Sequence, residues 1–394
     1  MNHVRGIVFF ALLAVGCTGF DLQLSDVSEA RQPPSDVSAD DDAGVSDAEA
    51  SADASDKLDI GLSDAGPKSY VVSTLAGTGA AGAADGPGSE ASFYYPEGIA
   101  IGPDGSLYVA DNGNHKIRKI AADGTVSAYA GTGDRGLADG PCTTAIFNNP
   151  TDVAVDAVGN LYVTEWGNGV IRKIYPTPCK VITLAGGGTS SALDGAGTAA
   201  SFGCLTGLTL DTSGNIYVAD FSNNRIRKVT PEGNVTTIAG TGQGRHTDGL
   251  ASSAAFSWPQ GIVMNAVGTL YVTEEINNDI REITDGQVTT LAGSGATGPM
   301  IDGMGTDAAF YYPNGIAIDA NGNLLVADAY DNAIRQVTPA GEVTTIAGTD
   351  VKGANDGPAD TATFNQPNGV AIDSNGVIYI ADSANNKIRK IELK

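Results

Sequence analysis

The chain has 394 residues, with 46 acidic against 22 basic side chains and a net charge of −24. This charge repels phosphate backbones and argues against a nucleic-acid partner. The three His residues are too few for most zinc chemistry or His-based acid-base catalysis. The 52 Gly residues follow no Gly-X-Y period, which excludes collagen and favours short strands joined by tight turns.

The N-terminus has the pattern of an export signal. Arg5 precedes an apolar run at 6–16 that is shorter than the roughly 20 residues needed to span a bilayer, so we expect 1–16 to be a cleaved signal peptide. Cys17 follows Leu13-Ala14-Val15-Gly16, which resembles a bacterial lipobox with its Leu one position further from the Cys than usual. The pattern predicts acylation of Cys17 and, with Thr18 next, outer-membrane anchoring. A simple signal peptide of a secreted or periplasmic protein is the alternative.

Residues 17–69 have the composition of a linker. Positions 21–69 hold 13 acidic and 3 basic residues among Ser, Ala, Pro and Gly, with almost no long apolar runs. Such a segment buries too little apolar surface to offset its ordering entropy. We therefore expect a disordered, self-repelling tether that holds the folded part away from the membrane.

Residues 70–394 contain an internal repeat. Six Phe residues recur at spacings of 54 or 55 positions, and each begins a similar stretch of sequence. A fixed period of this size is typical of repeat architectures. The six are Phe93, Phe147, Phe202, Phe256, Phe310 and Phe364.

Each repeat predicts four antiparallel strands. In the first one, the segments GIAI, LYVA, KIRKI and TVSAYAG are rich in β-branched and aromatic residues and are separated by PDG, NGNH and ADG turns. No segment has a sustained 3.6-residue apolar period, so we expect almost no helix. The sixth repeat stops after its third strand, while an extra copy of the fourth, YVVSTLAG, begins at Tyr70. This split predicts a ring closed by an N-terminal strand in the last blade, because closure protects the sheet edges.

The phrases YVADFSNNRIRKV at 217–229 and YIADSANNKIRKI at 379–391 resemble the NHL repeat, and the resemblance extends over all six units. It implies an all-β fold, a six-bladed β-propeller of four-stranded antiparallel blades used chiefly for binding. Related six-bladed folds include lactonases and lyases. Repeat two departs from the pattern at Asp152 and Glu165 and repeat four at Glu274, without disturbing the strands.

Two acidic sets recur in every repeat. One acid ends the second strand, and an Arg follows seven positions later on the adjacent strand. Because partly buried charges need partners, we expect structural ion pairs rather than six active sites. The pairs are Asp111–Arg118, Glu165–Arg172, Asp220–Arg227, Glu274–Arg281, Asp328–Arg335 and Asp382–Arg389. The second set precedes Gly and predicts turns rather than calcium loops. Its members are Asp85, Asp139, Asp194, Asp248, Asp302 and Asp356.

A third set of polar residues lies just before the first strand of each blade. Since the first strands line the central channel, we expect these residues to form a ring at its mouth. The ring comprises Glu97, Thr151, Thr206, Gln260, Asn314 and Asn368. Glu97, Asn314, Asn368 and the nearby Asp152 offer the hard oxygen ligands that suit calcium, at places where lactonase-like propellers hold a divalent ion. The alternative is a wet channel that binds nothing.

The sequence thus favours a non-catalytic, monomeric binding scaffold in the cell envelope, which presents its interblade loops to a protein or another extracytoplasmic ligand. It would need no cofactor and would meet a membrane only through its lipid anchor. A calcium-dependent lactonase-like or lyase-like enzyme at the channel mouth is the alternative. His115 and His246 lie in a turn and a loop, where we expect them to be exposed. Of the remaining cysteines, Cys142 and Cys204 could pair, which would leave Cys179 free.

Overall fold

The computed structural model describes residues 69–187 and 191–394 as six β-sheets arranged in a ring. Each sheet is one blade with four antiparallel strands in chain order, and five of the blades gain a short fifth strand at the outer edge. The prediction of an all-β, six-bladed propeller is confirmed. The predicted signal peptide, Cys17 and most of the linker lie outside the described residues.

The first and second strands of each blade are short and regular. The inner strands are Pro96–Ile101, Pro150–Val155, Leu205–Leu210, Pro259–Met264, Pro313–Ile318 and Pro367–Ile372. The second strands are Leu107–Asp111, Leu161–Glu165, Ile216–Asp220, Leu270–Glu274, Leu324–Asp328 and Ile378–Asp382.

The third and fourth strands carry each sheet to the periphery. The third strands are Lys116–Ile120, Val170–Pro176, Arg225–Val229, Asp279–Thr284, Ala333–Val337 and Lys387–Leu393. The outer strands are Val126–Ala130, Cys179–Ala185, Asn234–Ala239, Gln287–Ala292, Glu342–Gly348 and Tyr70–Ala76. Short edge strands at Gly140–Pro141, Gly195–Ala196, Gly249–Leu250, Gly303–Met304 and Gly357–Pro358 complete five blades.

Helical structure in residues 69–187 and 191–394 is limited to five 3-10 turns of three residues each. They are Asn112–Asn114, Gly197–Ala199, Phe221–Asn223, Gly305–Asp307 and Ser383–Asn385. No helix in this described part of the chain is long and apolar enough to cross a membrane.

The first described strand closes the ring. Tyr70–Ala76 pairs antiparallel with Lys387–Leu393, from Tyr70 opposite Leu393 to Ala76 opposite Ile388. The inner strands of blades 1 and 6 contact each other as the other neighbouring inner strands do. The predicted closure is confirmed, and no end blade is left with an unpaired sheet edge facing a gap.

The hydrophobic core lies between blades rather than within one. Six clusters of buried apolar residues each join two neighbouring blades, because both faces of every sheet are covered by the next blade. Every cluster contains one repeated Phe, and all six Phe side chains are buried. The period of the sequence is therefore the period of the core.

Hydrogen bonds also connect successive blades at the turn between their second and third strands. In blade 3, Asn224 has a left-handed φ of 51° and its Oδ1 accepts a hydrogen bond from the backbone N–H of Trp258 at 2.9 Å. In blade 1, His115 Nδ1 accepts in the same way from Asn149 N–H at 3.1 Å. His115 is therefore half-buried in a joint between blades, and the expectation that it is simply exposed is wrong.

A disulfide joins Cys142 to Cys179, with a Cα–Cα distance of 5.4 Å. The expected Cys142–Cys204 pair with a free Cys179 is wrong. The chain entering blade 2 first runs along that blade's outer strand, as Gly140–Pro141, before it turns inward. This detour brings Cys142 to the periphery beside Cys179, whereas Cys204 directly precedes the inner strand Leu205–Leu210.

Candidate functional site

Each repeat holds one buried arginine between two carboxylates. In blade 3, Arg227 Nη1 lies 2.7 Å from Asp220 Oδ2 and its Nη2 lies 2.8 Å from Asp194 Oδ1. Its guanidinium packs over the Phe202 ring, 5.0 Å from the centroid. The two terminal nitrogens also donate to the carbonyls of Ser201 and Leu193. We call this arrangement the arginine clamp.

All six blades have the clamp. The structure brings every predicted acid–Arg pair together, and it also assigns the Asp-Gly acids to the same arginines, which the sequence interpretation missed. In five blades these Asp residues accept a hydrogen bond from a Thr hydroxyl of the outer strand, as Asp194 does from Thr237 at 3.0 Å. Six nearly identical copies indicate a structural element rather than an active site.

Blade 4 adds charge to its clamp. Asp279 begins the third strand, is buried, and lies 3.1 Å from His246 Nε2 through its Oδ2. Burial, together with the Asp279 carboxylate, raises the pKa of Glu274 to about 8. His246 is exposed, as expected, and contacts an acid rather than a metal-ligand set.

One position of the inner strand is glycine in five of the six blades. A Cβ at Gly261 would clash with the carbonyl oxygen of Asn314, and equivalent clashes occur at Gly207, Gly315 and Gly369. The absence of side chains lets neighbouring inner strands approach closely. The sixth position is Asp152, whose carboxylate fills the space beside Gly98. Asp152 is therefore the one side chain beyond Cβ at these six positions, where neighbouring inner strands approach closely.

The predicted polar ring is present at the start of the inner strands. Thr151 and Thr206 are buried and donate their hydroxyls to carbonyls of the next blade, at 3.0 Å to Leu205 O and 3.1 Å to Pro259 O. These two residues therefore connect neighbouring blades by hydrogen bonds. The part of the ring available to a ligand consists of Glu97, Gln260, Asn314 and Asn368.

Glu97 and Asp152 form a pair of carboxylates at the mouth. Burial, and secondly the Asp152 charge, raise the pKa of Glu97 to about 8 against a hydrogen bond from Asn112. Burial raises the pKa of Asp152 to about 7, although its oxygens accept N–H bonds from Val153 at 2.8 Å and Leu208 at 2.9 Å. Both side chains remain partly accessible from the channel.

The fit to calcium can be judged from the donors. Calcium takes about six to eight oxygen ligands, whereas the Asp152 oxygens already accept backbone N–H groups, which leaves Glu97, Asn314 and Asn368. Among residues 69–187 and 191–394 there is no group of three or more His, Cys, Asp or Glu side chains suited to a metal ion. These donors fit calcium poorly, and the metal site stays a prediction.

A third carboxylate at the mouth was not identified from the sequence. Glu275 directly follows the second strand of blade 4 and accepts a hydrogen bond from Gln260 Nε2 at 2.6 Å. Burial raises its pKa to about 7. After the effect of burial, its charge raises the pKa values of Tyr312 and Tyr330, and the Tyr312 N–H donates to Asn278 Oδ1, in the turn that begins with Glu275, at 2.9 Å.

Two groups of aromatic rings lie at this end of the blades, and Trp258 O accepts the backbone N–H of Glu275 at 3.0 Å. Phe221 lies between the rings of Trp166 and Trp258, with centroid distances of 5.1 and 5.0 Å. Tyr311, Tyr312 and Tyr330 form the second group, with distances of 4.6 to 5.3 Å. Tyr95, two positions before Glu97, donates its hydroxyl to Gln366 Oε1 at 2.9 Å. We call the carboxylates Glu97, Asp152 and Glu275 with these rings the aromatic mouth.

The interblade connections lie on the same face as the aromatic mouth. The turn between the second and third strands contacts the connection that leads into the blade, since Asn114 Nδ2 donates to Gly82 O at 2.7 Å and Asn385 Nδ2 to Gly353 O at 2.6 Å. Large apolar side chains are exposed in the connections and turns of this face. They include Tyr94, Leu137, Leu193, Ile276, Ile301, Tyr330 and Val351.

Comparison with protein families gives a repeat match. The family model described as the NHL repeat matches residues 93–120, 202–229, 310–336 and 364–391. These ranges begin at the repeated Phe of blades 1, 3, 5 and 6 and end in or directly after the third strand.

Curated relatives are similar over most of the described region. NHL repeat-containing protein 2 from Homo sapiens is 28% identical over 328 residues, which cover 73% of this chain and 45% of that protein. Teneurin-4 from Mus musculus is 27% identical over 350 residues, covering 75% of this chain and 12% of that protein. The chain thus spans less than half the length of these relatives.

Solved structures share the architecture. A structural genomics protein of unknown function from Bacteroides thetaiotaomicron aligns with a TM-score of 0.67 at 23% identity, covering 83% of this chain and 77% of that one. An auxiliary nutrient binding protein from the same organism gives 0.63 at 19% identity, with the same coverages. Virginiamycin B lyase from Staphylococcus aureus gives 0.52 at 18%, covering 82% and 100%. The matched ranges show that the chain contains NHL repeats, and the solved structures show the same fold as the six-bladed β-propeller described above.

Proposed function

We propose that the propeller is a binding scaffold outside the cytoplasm and that its ligand docks on the face that carries the aromatic mouth and the interblade connections. The observation that most supports this proposal is that the acids of the clamps have cationic partners and the acids of the mouth have none in the described part of the chain. The clamp acids are each paired with an arginine, whereas Glu97, Asp152 and Glu275 have no Lys, Arg or His partner among residues 69–187 and 191–394. Polar groups converging on a concave, partly apolar surface are typical of ligand sites.

The comparisons support the general role. Two structures with this fold are named auxiliary nutrient binding proteins, from Bacteroides thetaiotaomicron and Bacteroides ovatus, with TM-scores of 0.63. Ligand capture in the cell envelope fits a chain whose first residues resemble an export signal, and acylation of Cys17 would hold the scaffold at the outer membrane. The rigid blades with their different connections suit presentation of a recognition surface.

A calcium-dependent lactonase-like or lyase-like activity is the second candidate. Glu97 favours it, because a carboxyl whose pKa is raised to about 8 can hold a proton for acid catalysis at neutral pH. A propeller named as a putative gluconolactonase shares the fold with a TM-score of 0.53 at 12% identity. Hydrolysis of a panel of lactones with and without calcium, compared between the natural chain and Glu97→Gln, tests this candidate.

A thermal-shift screen with a library of envelope-relevant small molecules tests the binding role. A ligand of the proposed face raises the Tm of the natural chain. The shift is lost in Tyr330→Ala, on that face, and kept in Val267→Ala, whose side chain is 87% exposed in a turn at the opposite ends of the strands. Ligands that stabilise all three proteins equally, or that fail only with Val267→Ala, would place binding elsewhere and contradict the proposal.

A further inference from the structure

We infer that the aromatic mouth binds a small organic cation, through the carboxylates Glu97, Asp152 and Glu275 and the faces of the surrounding rings. The inference rests on the proposed binding function and specifies its ligand class. It is carried by two independent features of the same place: buried carboxylates without a cation, and aromatic rings from several blades around them.

The first feature is uncompensated charge. Other buried carboxylates meet a cation, for example Asp220 with Arg227 at 2.7 Å and Asp279 with His246 at 3.1 Å. In the described chain, Glu97, Asp152 and Glu275 contact only neutral donors: Asn112, backbone N–H groups and Gln260. Burial without a countercharge favours the protonated form of these carboxyls, and a ligand that brings positive charge would favour their ionised form by supplying the missing countercharge.

The second feature is the ring arrangement. Glu275 donates its backbone N–H to Trp258 O at 3.0 Å, and Tyr312 of blade 5 donates its N–H to Asn278 Oδ1, in the same turn of blade 4, at 2.9 Å. Aromatic residues of blades 4 and 5 therefore lie beside the turn that carries Glu275. Rings within about 6 Å of a cation attract it through their quadrupole, and several rings around one point form an aromatic cage. Tyr312 and Tyr330, 4.6 Å apart, supply one wall of the cage.

The same arrangement discriminates against metal ions. Ring faces offer no oxygen to calcium, and the Asp152 oxygens already accept the N–H groups of Val153 and Leu208. The inner strands pack closely next to the mouth, since a Cβ at Gly369 would clash with Glu97 O. An organic cation held at the mouth, with its apolar part against the rings, uses both the carboxylates and the rings.

The protein contains two Trp residues, Trp166 and Trp258, and both belong to the aromatic mouth. Their fluorescence therefore reports directly on occupancy. Choline is the probe, its neutral isostere 3,3-dimethyl-1-butanol is the control for shape, and calcium chloride is the control for charge alone. We expect a saturable fluorescence change with choline, and affinity for the alcohol at least about tenfold weaker, equivalent to about 1.4 kcal/mol.

Variants assign the effect to the site. Glu275→Gln keeps the shape and should weaken choline binding about tenfold. Tyr330→Leu should weaken it several-fold while Tyr330→Phe retains it, because the attraction comes from the ring. Asp319→Asn, in a turn at the opposite ends of the strands, should leave the affinity unchanged. Circular dichroism and Tm establish that each variant is folded.

The outcomes separate this inference from the broader one. Equal binding of choline and the alcohol, or no saturable change with choline up to about 10 mM, overturns the cation site. If a neutral compound from the thermal-shift screen binds and depends on Tyr330, the binding scaffold stands without the cation. Saturable calcium binding that is lost in Glu97→Gln, without choline binding, overturns the inference in favour of the metal site.

Discussion

Arg227 and its equivalents in the other five blades are completely buried charges, and each is balanced by two carboxylates in different surroundings. Asp220 is fully buried, whereas Asp194 has 48% of its side chain exposed. Water screens the outer pair and cannot reach the inner one. The two bonds of one guanidinium therefore differ in their contribution to the free energy of unfolding.

Replacing these two acids separately should reveal that difference. We expect Asp220→Asn to reduce the free energy of unfolding by about 3–5 kcal/mol, because it leaves Arg227 without its buried countercharge. Asp194→Asn, which contacts the same arginine from the solvent side, should cost about 1 kcal/mol or less. Urea unfolding measures both values, and similar losses for the two variants would contradict this reading of the clamp.

The mouth carboxylates give the fold a pH dependence. The pKa of Glu97 is about 8 in the folded protein against an ordinary value of 4.5. Between these values the folded state holds a proton that the unfolded state releases. The contribution of Glu97 to stability is therefore complete below about pH 4.5 and is lost as the pH rises through 8.

Glu97→Gln should weaken this dependence of the free energy of unfolding on pH. We expect the natural chain to lose about 2 kcal/mol more stability between pH 5 and pH 9 than the variant does, a value reduced from the full shift because the channel is partly solvated. Chemical unfolding at several pH values measures the difference, and comparison of the two proteins cancels the general repulsion of an acidic chain. Parallel profiles would show that Glu97 ionises as an ordinary surface acid.

At the scale of elements, the outer strands of five blades share one clamp contact that the outer strand of blade 1 lacks. Five blades place a Thr opposite the clamp arginine, but blade 1 has Ala128 opposite Arg118. The clamp of blade 1 thus lacks the hydroxyl that binds the exposed acid elsewhere. Asp85, 51% exposed, has Arg118 as its ionic partner in this position.

Ala128→Thr should therefore stabilise the protein. The exposed position has room for the side chain, and one added hydrogen bond to Asp85 predicts a gain of about 0.5–1 kcal/mol. Ser127→Thr, at the neighbouring exposed position, is the matched control for strand propensity and should give a smaller change. The measurement is the urea midpoint of each variant, and equal gains would exclude a bond to Asp85.

The elements were predictable because every blade repeats the same apolar alternation, turn residues and Phe. The arginine clamp was half predictable: the pair Asp220–Arg227 is seven positions apart, but Asp194 meets the same arginine from 33 positions away, and its Asp-Gly sequence looked like a turn. The short edge strands consist of two residues, too few for a pattern, so the position of Cys142 beside Cys179 could not be derived.

The aromatic mouth was only partly predictable, because one of its carboxylates lies at a position that varies between the repeats. Glu97 and Asp152 follow the alignment of the inner strands. Glu275 occupies a position that holds Asn112, Trp166, Phe221, Ala329 and Ser383 in the other repeats. This variability resembles that of a turn, and only the convergence of six blades turns it into a site. The signal that was available is the variation itself, at one position of an otherwise constant repeat.

For the whole molecule, the closing strand determines whether the ring is complete. Lys387–Leu393 pairs with Tyr70–Ala76 from Ile388 to Leu393, and Gly357–Pro358 adds to the far edge of the closing strand. Blade 6 therefore depends on residues from both ends of the propeller. Its cluster with blade 5 also contains Val72.

Truncation tests this dependence. A chain starting at Ser69 should unfold cooperatively, whereas one starting at Thr78 should lose protection from hydrogen exchange throughout Lys387–Leu393. A synthetic peptide of residues 69–77 added to the shorter chain should restore protection. Unchanged exchange in the shorter chain would mean that blade 6 does not need the closing strand.

The pairing of Tyr70 with Leu393 also sets the order of events when the protein is made. The ribosome produces Tyr70–Ala76 before any blade and Lys387–Leu393 after all the others, at roughly 5–20 residues per second. For many seconds the nascent chain therefore carries a β-strand with unpaired backbone N–H and C=O groups, because its partner has not been translated.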